Sequence, residues 1–255
     1  MSTRNDMIMK GIDCATALTS IKAQTFYNQG YTFVGRYLAD QNSWKRLSPS
    51  EAQVLSDVGL YIISFFERYT DRVREGSIAG KEDGKLALQY AKEVKQTEGS
   101  TIYFCVDYDA QPNDYNAIEA YLRAADKEID GYELGVYGSY AVVKEMYERG
   151  VCKKLAQTVA WSRGKRYENA CFYQAQIDTL VNGMNVDLDE TNGDAGGWKI
   201  GMAAQKQYTL DADVANTIIN TWMSPAWFDS QDENQRDYIK WLANQLRAAS
   251  GQDAQ

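Results

Sequence analysis

Histidine is absent from this 255-residue chain. Ser–His and Cys–His nucleophile schemes are therefore excluded, and the commonest zinc ligand is missing. Cysteine is scarce. Cys14, Cys105, Cys152 and Cys171 are widely spaced without a C-x-x-C pair, and three of them sit in or beside predicted strands. Buried, reduced thiols are expected rather than disulfides. No apolar run approaches the ~20 residues of a membrane helix, so no membrane partner is expected. Gly11, Gly35 and Gly135 form no phosphate-binding loop, and no G-x-x-x-x-G-K-[ST] occurs. Positive charge is also in deficit, with 27 Lys+Arg against 35 Asp+Glu and a net charge of −8. That balance argues against a nucleic acid or an anionic membrane surface as partner. The stretch Met1 to Lys10 is polar and lacks the apolar segment of a secretory signal. A cytoplasmic location is expected, with release by lysis, or a phage or spore setting, left open. No cofactor or metal is expected.

What the chain does contain is an alternation of short apolar strands with longer helical stretches, the signature of parallel α/β architecture. Strands are expected near Ile8–Asp13, Tyr31–Tyr37, Leu60–Phe66, Thr101–Val106, Leu134–Tyr137, Gln157–Trp161, Cys171–Gln176 and Val186–Leu188. Helices are expected over about 20–29, from Pro49 to Val58, and over 77–96, 113–129 and 139–149. Ser48-Pro49-Ser50-Glu51 carries the N-cap, first-turn proline and capping-box glutamate of a helix start, and Gly59 marks its end. Eight strands before residue 190 suit a closed (β/α)₈ TIM-type barrel, irregular in its last third where the intervening helices shrink. The barrel is assigned to residues 1–195. Residues 196–255 form a linker and a C-terminal helical hairpin, with a turn-rich stretch at 192–197. The tail places Val214, Ile218 and Trp222 at helical spacing before a stop at Ser224-Pro225. A second helix, capped by Ser230 with Glu233, carries Ile239, Leu242 and Leu246. Its apolar bulk, including three of the six tryptophans, must cover the barrel or form a homodimer contact.

Active sites of parallel barrels lie at the carboxyl ends of the strands. The polar residues ending the apolar runs are Asp13, Arg36, Glu67, Asp107 with Asp109, and Asp187 with Asp189; Tyr137, Trp161, Tyr173, Gln174 and Gln176 join them. Strand alternation places Asp107 and Asp109 on one side, as a carboxylate pair able to divide acid and base roles. Trp161, Tyr137 and Tyr173 are candidates for stacking on sugar rings, although aromatics in strands are commonly core. Arg36 is a candidate for an anionic ligand group or for pairing with a rim carboxylate. Gln174 and Gln176 complete the expected substrate-binding set.

Gly11-Ile12-Asp13, Phe33 to Leu38, Phe65-Phe66-Glu67, Tyr103 to Asp109, Gly135 to Gly138 and Val186-Asp187 together resemble a bacterial glycoside-hydrolase-like family. That family, once catalogued as a domain of unknown function, is itself similar to the family-25 lysozymes, which cut peptidoglycan with a modified barrel. The match spans roughly residues 7 to 195. The resemblance implies a carbohydrate-facing rim with Asp13, Asp107, Asp109 and Asp187 as its carboxylates. It also implies a departure: the lysozymes carry Asp-x-Glu on strand four, where this chain has Asp-x-Asp, leaving Glu67 as a candidate for the missing acid. Two readings follow. One is a glycoside hydrolase acting on a cell-wall polysaccharide or a smaller saccharide through Asp107, Asp109, Glu67, Asp13 and Asp187. The other is a non-catalytic saccharide-binding or structural barrel that retains the cleft. A hydrolase of another substrate class is a third, since fold does not fix function.

Overall fold

Eight strands hydrogen-bond in chain order into a closed barrel. The computed structural model describes residues 9–202 and 210–252, so the expected strand start at Ile8 and the beginning of the tail near Tyr208 lie outside the described residues. The strands are β1 (Met9–Asp13), β2 (Phe33–Leu38), β3 (Tyr61–Phe66), β4 (Thr101–Cys105), β5 (Glu133–Gly138), β6 (Lys154–Thr158), β7 (Phe172–Val181) and β8 (Met184–Thr191). Helices α1 (Ser20–Asn28), α2 (Pro49–Val58), α3 (Gly76–Glu93), α4 (Tyr115–Asp126) and α5 (Tyr140–Glu148) separate the first six strands. All four cysteines are free thiols, three of them buried.

Strands β1 to β7 run parallel, but β8 is antiparallel to both β7 and β1. The sequence reading, which placed all eight strands in one direction, is corrected here. No helix separates β7 from β8. Instead the chain reverses at Asn182-Gly183, both with positive φ (51° and 70°), as a tight hairpin demands. The hairpin extends beyond the barrel, and its tip is held by paired amide hydrogen bonds between Asn182 and Gln29 at the end of α1 (2.9 and 3.1 Å).

Period-two alternation divides each barrel strand between interior and helix-facing sides. Phe33, Ile63, Phe65, Tyr103, Cys105, Tyr137, Ala156 and Phe172 form the interior cluster. Phe65 sits at its centre, with ring centroids 5.5–5.9 Å from those of Tyr37, Tyr103, Tyr137 and Phe172. Gly35 makes room at the upper layer: a Cβ there would lie 2.6 Å from both the Asp13 Cβ and the Phe65 ring.

The outward side holds the largest buried ion pair. Arg36 is fully buried and donates to Glu51 of α2 through Nε (2.8 Å) and Nη2 (3.1 Å). Its Nη1 donates to the carbonyls of Cys14 and Ala15. Arg36 thus has no free face for a ligand, and its partner is a helix glutamate rather than a rim carboxylate. Ser48 caps α2 as expected, accepting from Glu51 N (3.1 Å), and Gly59 ends it at φ 101°. The Glu51 carboxylate does not return to the cap; it takes Arg36 and the Leu18 amide (2.9 Å) instead.

Residues 196–200, read from the sequence as linker and start of the tail, are part of the barrel together with Ala195. The Thr101 amide donates to Gly196 O (3.0 Å), and Tyr103 Oη donates to Ala195 O (3.0 Å). Gly196 has φ +67°, and a Cβ would lie 1.8 Å from Thr101 Oγ1, so the approach requires glycine. Trp198 is fully buried, exchanges backbone hydrogen bonds with Ile62, and donates Nε1 to Ser64 Oγ (2.9 Å). The compact unit containing the barrel accordingly runs to Gln205, and Lys206–Gln255 form a second.

The second unit contains α6 (Ala212–Ile218), a π-helical turn (Ile219–Met223), α7 (Ser224–Asp229) and α8 (Glu233–Ala249). Pro225 does not stop the helix. It occupies the first turn of α7, where its missing N–H is no loss. The cap of α8 is Asp232, whose Oδ1 accepts from the Asn234 amide (2.9 Å), whereas Ser230 Oγ accepts from Asp232 N (3.2 Å).

Removing one partner of a buried pair strands the other charge. Glu51→Ala is expected to lower the free energy of unfolding by about 3–5 kcal/mol, read from urea denaturation; a loss below about 1 kcal/mol would show that water reaches Arg36.

Candidate active site

Gln174 organises the upper barrel interior. Its Oε1 accepts from Tyr137 Oη (2.9 Å) and Thr158 Oγ1 (2.6 Å). Hydroxyls can donate or accept, but the carboxylates at the other end accept, so the nitrogen faces them and the oxygen faces the hydroxyls. There Nε2 donates to Asp13 Oδ2 (2.7 Å) and Asp187 Oδ2 (2.8 Å). The remaining Asp187 oxygen accepts from the backbone N–H of Asp178 (2.8 Å), and the register places Asp187 directly opposite Asp13.

Asp189 lies one interior position deeper and is buried, and among the described residues neither of its oxygens has a hydrogen-bond partner. Its position on β8, opposite Gly11, sets it one layer below Asp13. Neighbouring buried acids each disfavour the charged form of the other. Burial and then the charge of Asp13 drive Asp189 well above the usual carboxylate range. Burial, followed by Asp187, pushes Asp13 up to about 7, against the opposing hydrogen bond from Gln174. Asp187 is raised by burial too, opposed by the Asp178 amide.

The carboxyl groups of β3 and β4 complete the rim. Asp107 is half-buried and pushed up to about 6, first by burial and then by the charge of Glu67, with Lys45 acting in opposition. Glu67 forms a close ion pair with Lys45, which also stands 4.8 Å above the Tyr37 ring. Asp13, Tyr37, Trp44, Asp178, Asn185 and Asp187 line a cleft of about 380 Å³. Trp44 is 75 % exposed, which for an indole beside a carboxylate cleft is the arrangement of a stacking platform.

Asp13, Glu67, Asp107 and Asp187 therefore come together, and Tyr137 and Gln174 support them from within. The chain does not bring Asp109, Trp161 or Gln176 to this cleft. Strand β4 ends at Cys105, so alternation no longer governs Asp109, which is exposed and lines a separate cavity with Trp161. Strand β6 ends at Thr158, three residues before Trp161. Gln176 is exposed on the hairpin beyond a β-bulge that breaks its alternation with Gln174. Tyr173 lies beneath the Arg166 guanidinium, 4.2 Å away. Sequence reasoning missed Thr158, Trp44, Lys45 and the Asp178 amide. Alternation from Ala156 would have found Thr158, and an unpaired tryptophan in the polar loop 40–46 was the available signal for Trp44.

All four of Asp13, Asp107, Asp187 and Asp189 keep protons to higher pH folded than unfolded. Their contribution to stability is complete below about pH 4 and is lost as pH rises toward 7. Asp189→Asn replaces a held proton by an amide donor of similar shape, so its stability should fall less than that of the unchanged protein between about pH 5 and 7.5. Urea unfolding at both pH values measures this; equal losses in the two proteins would show that Asp189 does not hold a proton in the fold.

The barrel fold recurs in solved structures. The Mycobacterium tuberculosis Tat-secreted protein Rv2525c, solved in complex with L-tartrate, superposes with a TM-score of 0.68 at 23 % identity, covering 74 % of this chain and 98 % of that one. The modular autolysin LytC of Streptococcus pneumoniae gives 0.55 at 14 % identity over 72 % of this chain and 46 % of its own. FadG of Bacillus subtilis (strain 168), an uncharacterized protein, is 29 % identical over 154 residues; the match takes in 56 % of this chain and spans only 27 % of FadG. The model of the Rv2525c-like, glycoside hydrolase-like domain matches residues 24–220, and the chain belongs to that family.

Proposed function

We propose that the barrel hydrolyses a glycosidic bond in a peptidoglycan-type polysaccharide, with Asp107 as proton donor. The observation that carries this reading is a half-buried carboxyl, pushed up to about 6, on a rim that also holds Asp13 and Asp187. A carboxyl of that kind is protonated in a useful fraction near neutral pH. Asp107 gives its proton to the glycosidic oxygen as the bond to the anomeric carbon breaks. Asp187, its oxygens oriented by Gln174 and the Asp178 amide, faces the developing positive charge. Water then adds at the anomeric carbon and releases its second proton to a carboxylate, restoring neutrality. Glu67 contributes by its charge, holding Asp107 up, while Trp44 supports a sugar ring. LytC, whose barrel this chain shares, has been solved with a synthetic peptidoglycan ligand, which supports the substrate class.

A second reading, a saccharide-binding barrel without turnover, is favoured by the position of Asp109. The carboxylate that would follow Asp107 in an Asp-x-acid motif lies in another cavity. Incubation with purified peptidoglycan, with products identified by mass spectrometry, separates the two: new reducing ends support hydrolysis, and binding without products supports the alternative.

Given turnover, Asp107→Asn should lower kcat/KM by about 10²–10⁴-fold. Because the donor must be protonated, kcat/KM should fall as pH rises past about 6. Glu67→Gln removes the negative neighbour, so this alkaline limb should move to lower pH; a limb that stays in place would remove Asp107 from the donor role. Trp44→Ala should weaken glycan binding about tenfold in calorimetry while leaving the unfolding midpoint unchanged.

A further inference from the structure

The loops that follow β4, β5 and β6 enclose a second cavity of about 270 Å³, separate from the carboxylate cleft. Asp109 stands on the β4 flank, Arg163 and Lys165 on the β6 flank, and Tyr115, Tyr140 and Trp161 supply aromatic surface. Asp109, Arg163 and Lys165 are all exposed. Among the described residues neither cation forms an ion pair, although Lys165 lies 5.4 Å above the Tyr140 ring.

The β6 flank is also built from beneath. Ser162 is buried; its Oγ accepts from the Tyr140 amide (2.8 Å) and Gln157 Nε2 (3.2 Å), and donates to Thr158 O. Gln157 is fully buried and spends the rest of its amide on Lys165 O (2.7 Å) and the Tyr167 amide (2.7 Å). These side chains hold Trp161 at φ +55° and Arg163 at φ +51°, a backbone region that bulky residues avoid. Trp161 nevertheless remains 39 % exposed. Buried polar groups are thus used to present an indole and two cations to solvent in a fixed arrangement, as a preorganised ligand site requires.

From this geometry we infer that the cavity is a second ligand subsite, which takes a zwitterionic peptide segment carried by the glycan. The carboxylate of such a segment meets Arg163 and Lys165, its ammonium meets Asp109, and its aliphatic stem lies on Trp161 and Tyr140. Opposite charges at the two flanks with an apolar middle suit an amino-acyl unit better than a neutral sugar, which needs no charge, or a polyanion, which Asp109 repels. This inference rests on the polysaccharide reading for the attachment of the peptide, not for the recognition itself.

Three probes test it by calorimetry on the full chain: a tetrasaccharide of N-acetylated amino sugars, the same glycan bearing a tetrapeptide with a free lysyl ammonium and C-terminal carboxylate, and the free tetrapeptide. The peptide-bearing glycan should bind about tenfold more tightly than the bare one. In R163Q/K165Q the preference should collapse to near one, with affinity for the bare glycan retained. Amidation of the terminal carboxylate should reproduce that loss in the unchanged protein, and acetylation of the lysyl amine should reduce the preference through Asp109. Equal binding of both glycans, or a preference untouched by the double substitution, overturns the inference. Should the bare glycan not bind, the polysaccharide reading fails and the free tetrapeptide decides: binding that R163Q/K165Q abolishes upholds the subsite, and no binding overturns it.

Discussion

Strand β8 is hydrogen-bonded antiparallel to both β7 and β1, and the site depends on that reversal. A strand entering from the rim and running downward carries the second acid of Asp187-x-Asp189 deeper than the first. Asp187 therefore meets Asp13 at the rim, and Asp189 comes to rest against Gly11 in the interior. A parallel strand with the same sequence would raise Asp189 into solvent and leave Asp13 without a buried acidic neighbour. Glycine at position 11 is compatible with this layer, because a Cβ there would already strike the Phe33 ring at 2.2–2.3 Å.

Concentrating five acids in one place is destabilising unless their charge is reduced or balanced. The chain does both, without histidine and with little help from cations. Lys45 balances Glu67, while burial and the neighbouring charges favour the protonated forms of Asp13 and Asp189. Gln174 gives each of Asp13 and Asp187 one neutral donor, and its own orientation is fixed by the hydroxyls of Tyr137 and Thr158. A glutamine performs this role because it donates and accepts at opposite faces; a glutamate there would add a charge, and a leucine would leave four polar groups unpaired.

Most of the barrel and half of the rim were legible in the sequence, since both follow from period-two alternation in short apolar strands. Asp13, Glu67, Asp107 and Gln174 were found because each continues the inward side of its strand. The same rule, applied one residue more carefully, would have excluded Arg36. With Phe33 and Tyr37 inward, position 36 must face the helices, where a glutamate at the third position of α2 awaits it. Asp109, Trp161 and Gln176 were misplaced for one shared reason: each lies past a strand end or a bulge, where alternation has lapsed. The direction of β8 was missed although Asn182-Gly183, between two runs of strand-forming residues, is a strong local hairpin signal. Reading those runs as parts of a uniform βα repeat overrode it. The role of residues 195–198 was not locally encoded, because a glycine-rich turn becomes barrel wall only through contacts with Thr101 and Ile62.

The two cavities of the rim are also connected through covalent and hydrogen-bonded structure. Thr158 Oγ1 donates to Gln174 Oε1 and accepts from the Ala160 amide at 3.1 Å, and the next residue is Trp161. One hydroxyl therefore terminates strand β6, starts the turn that presents Trp161, and orients the amide that serves Asp13 and Asp187. A hydroxyl has one proton, so its roles as donor to Gln174 and acceptor from Ala160 are compatible only in this arrangement. The Ala160 amide fixes the Thr158 hydroxyl from the loop side while the Gln174 oxygen fixes it from the barrel side, so the turn that presents Trp161 and the amide that serves Asp13 and Asp187 share one anchoring atom.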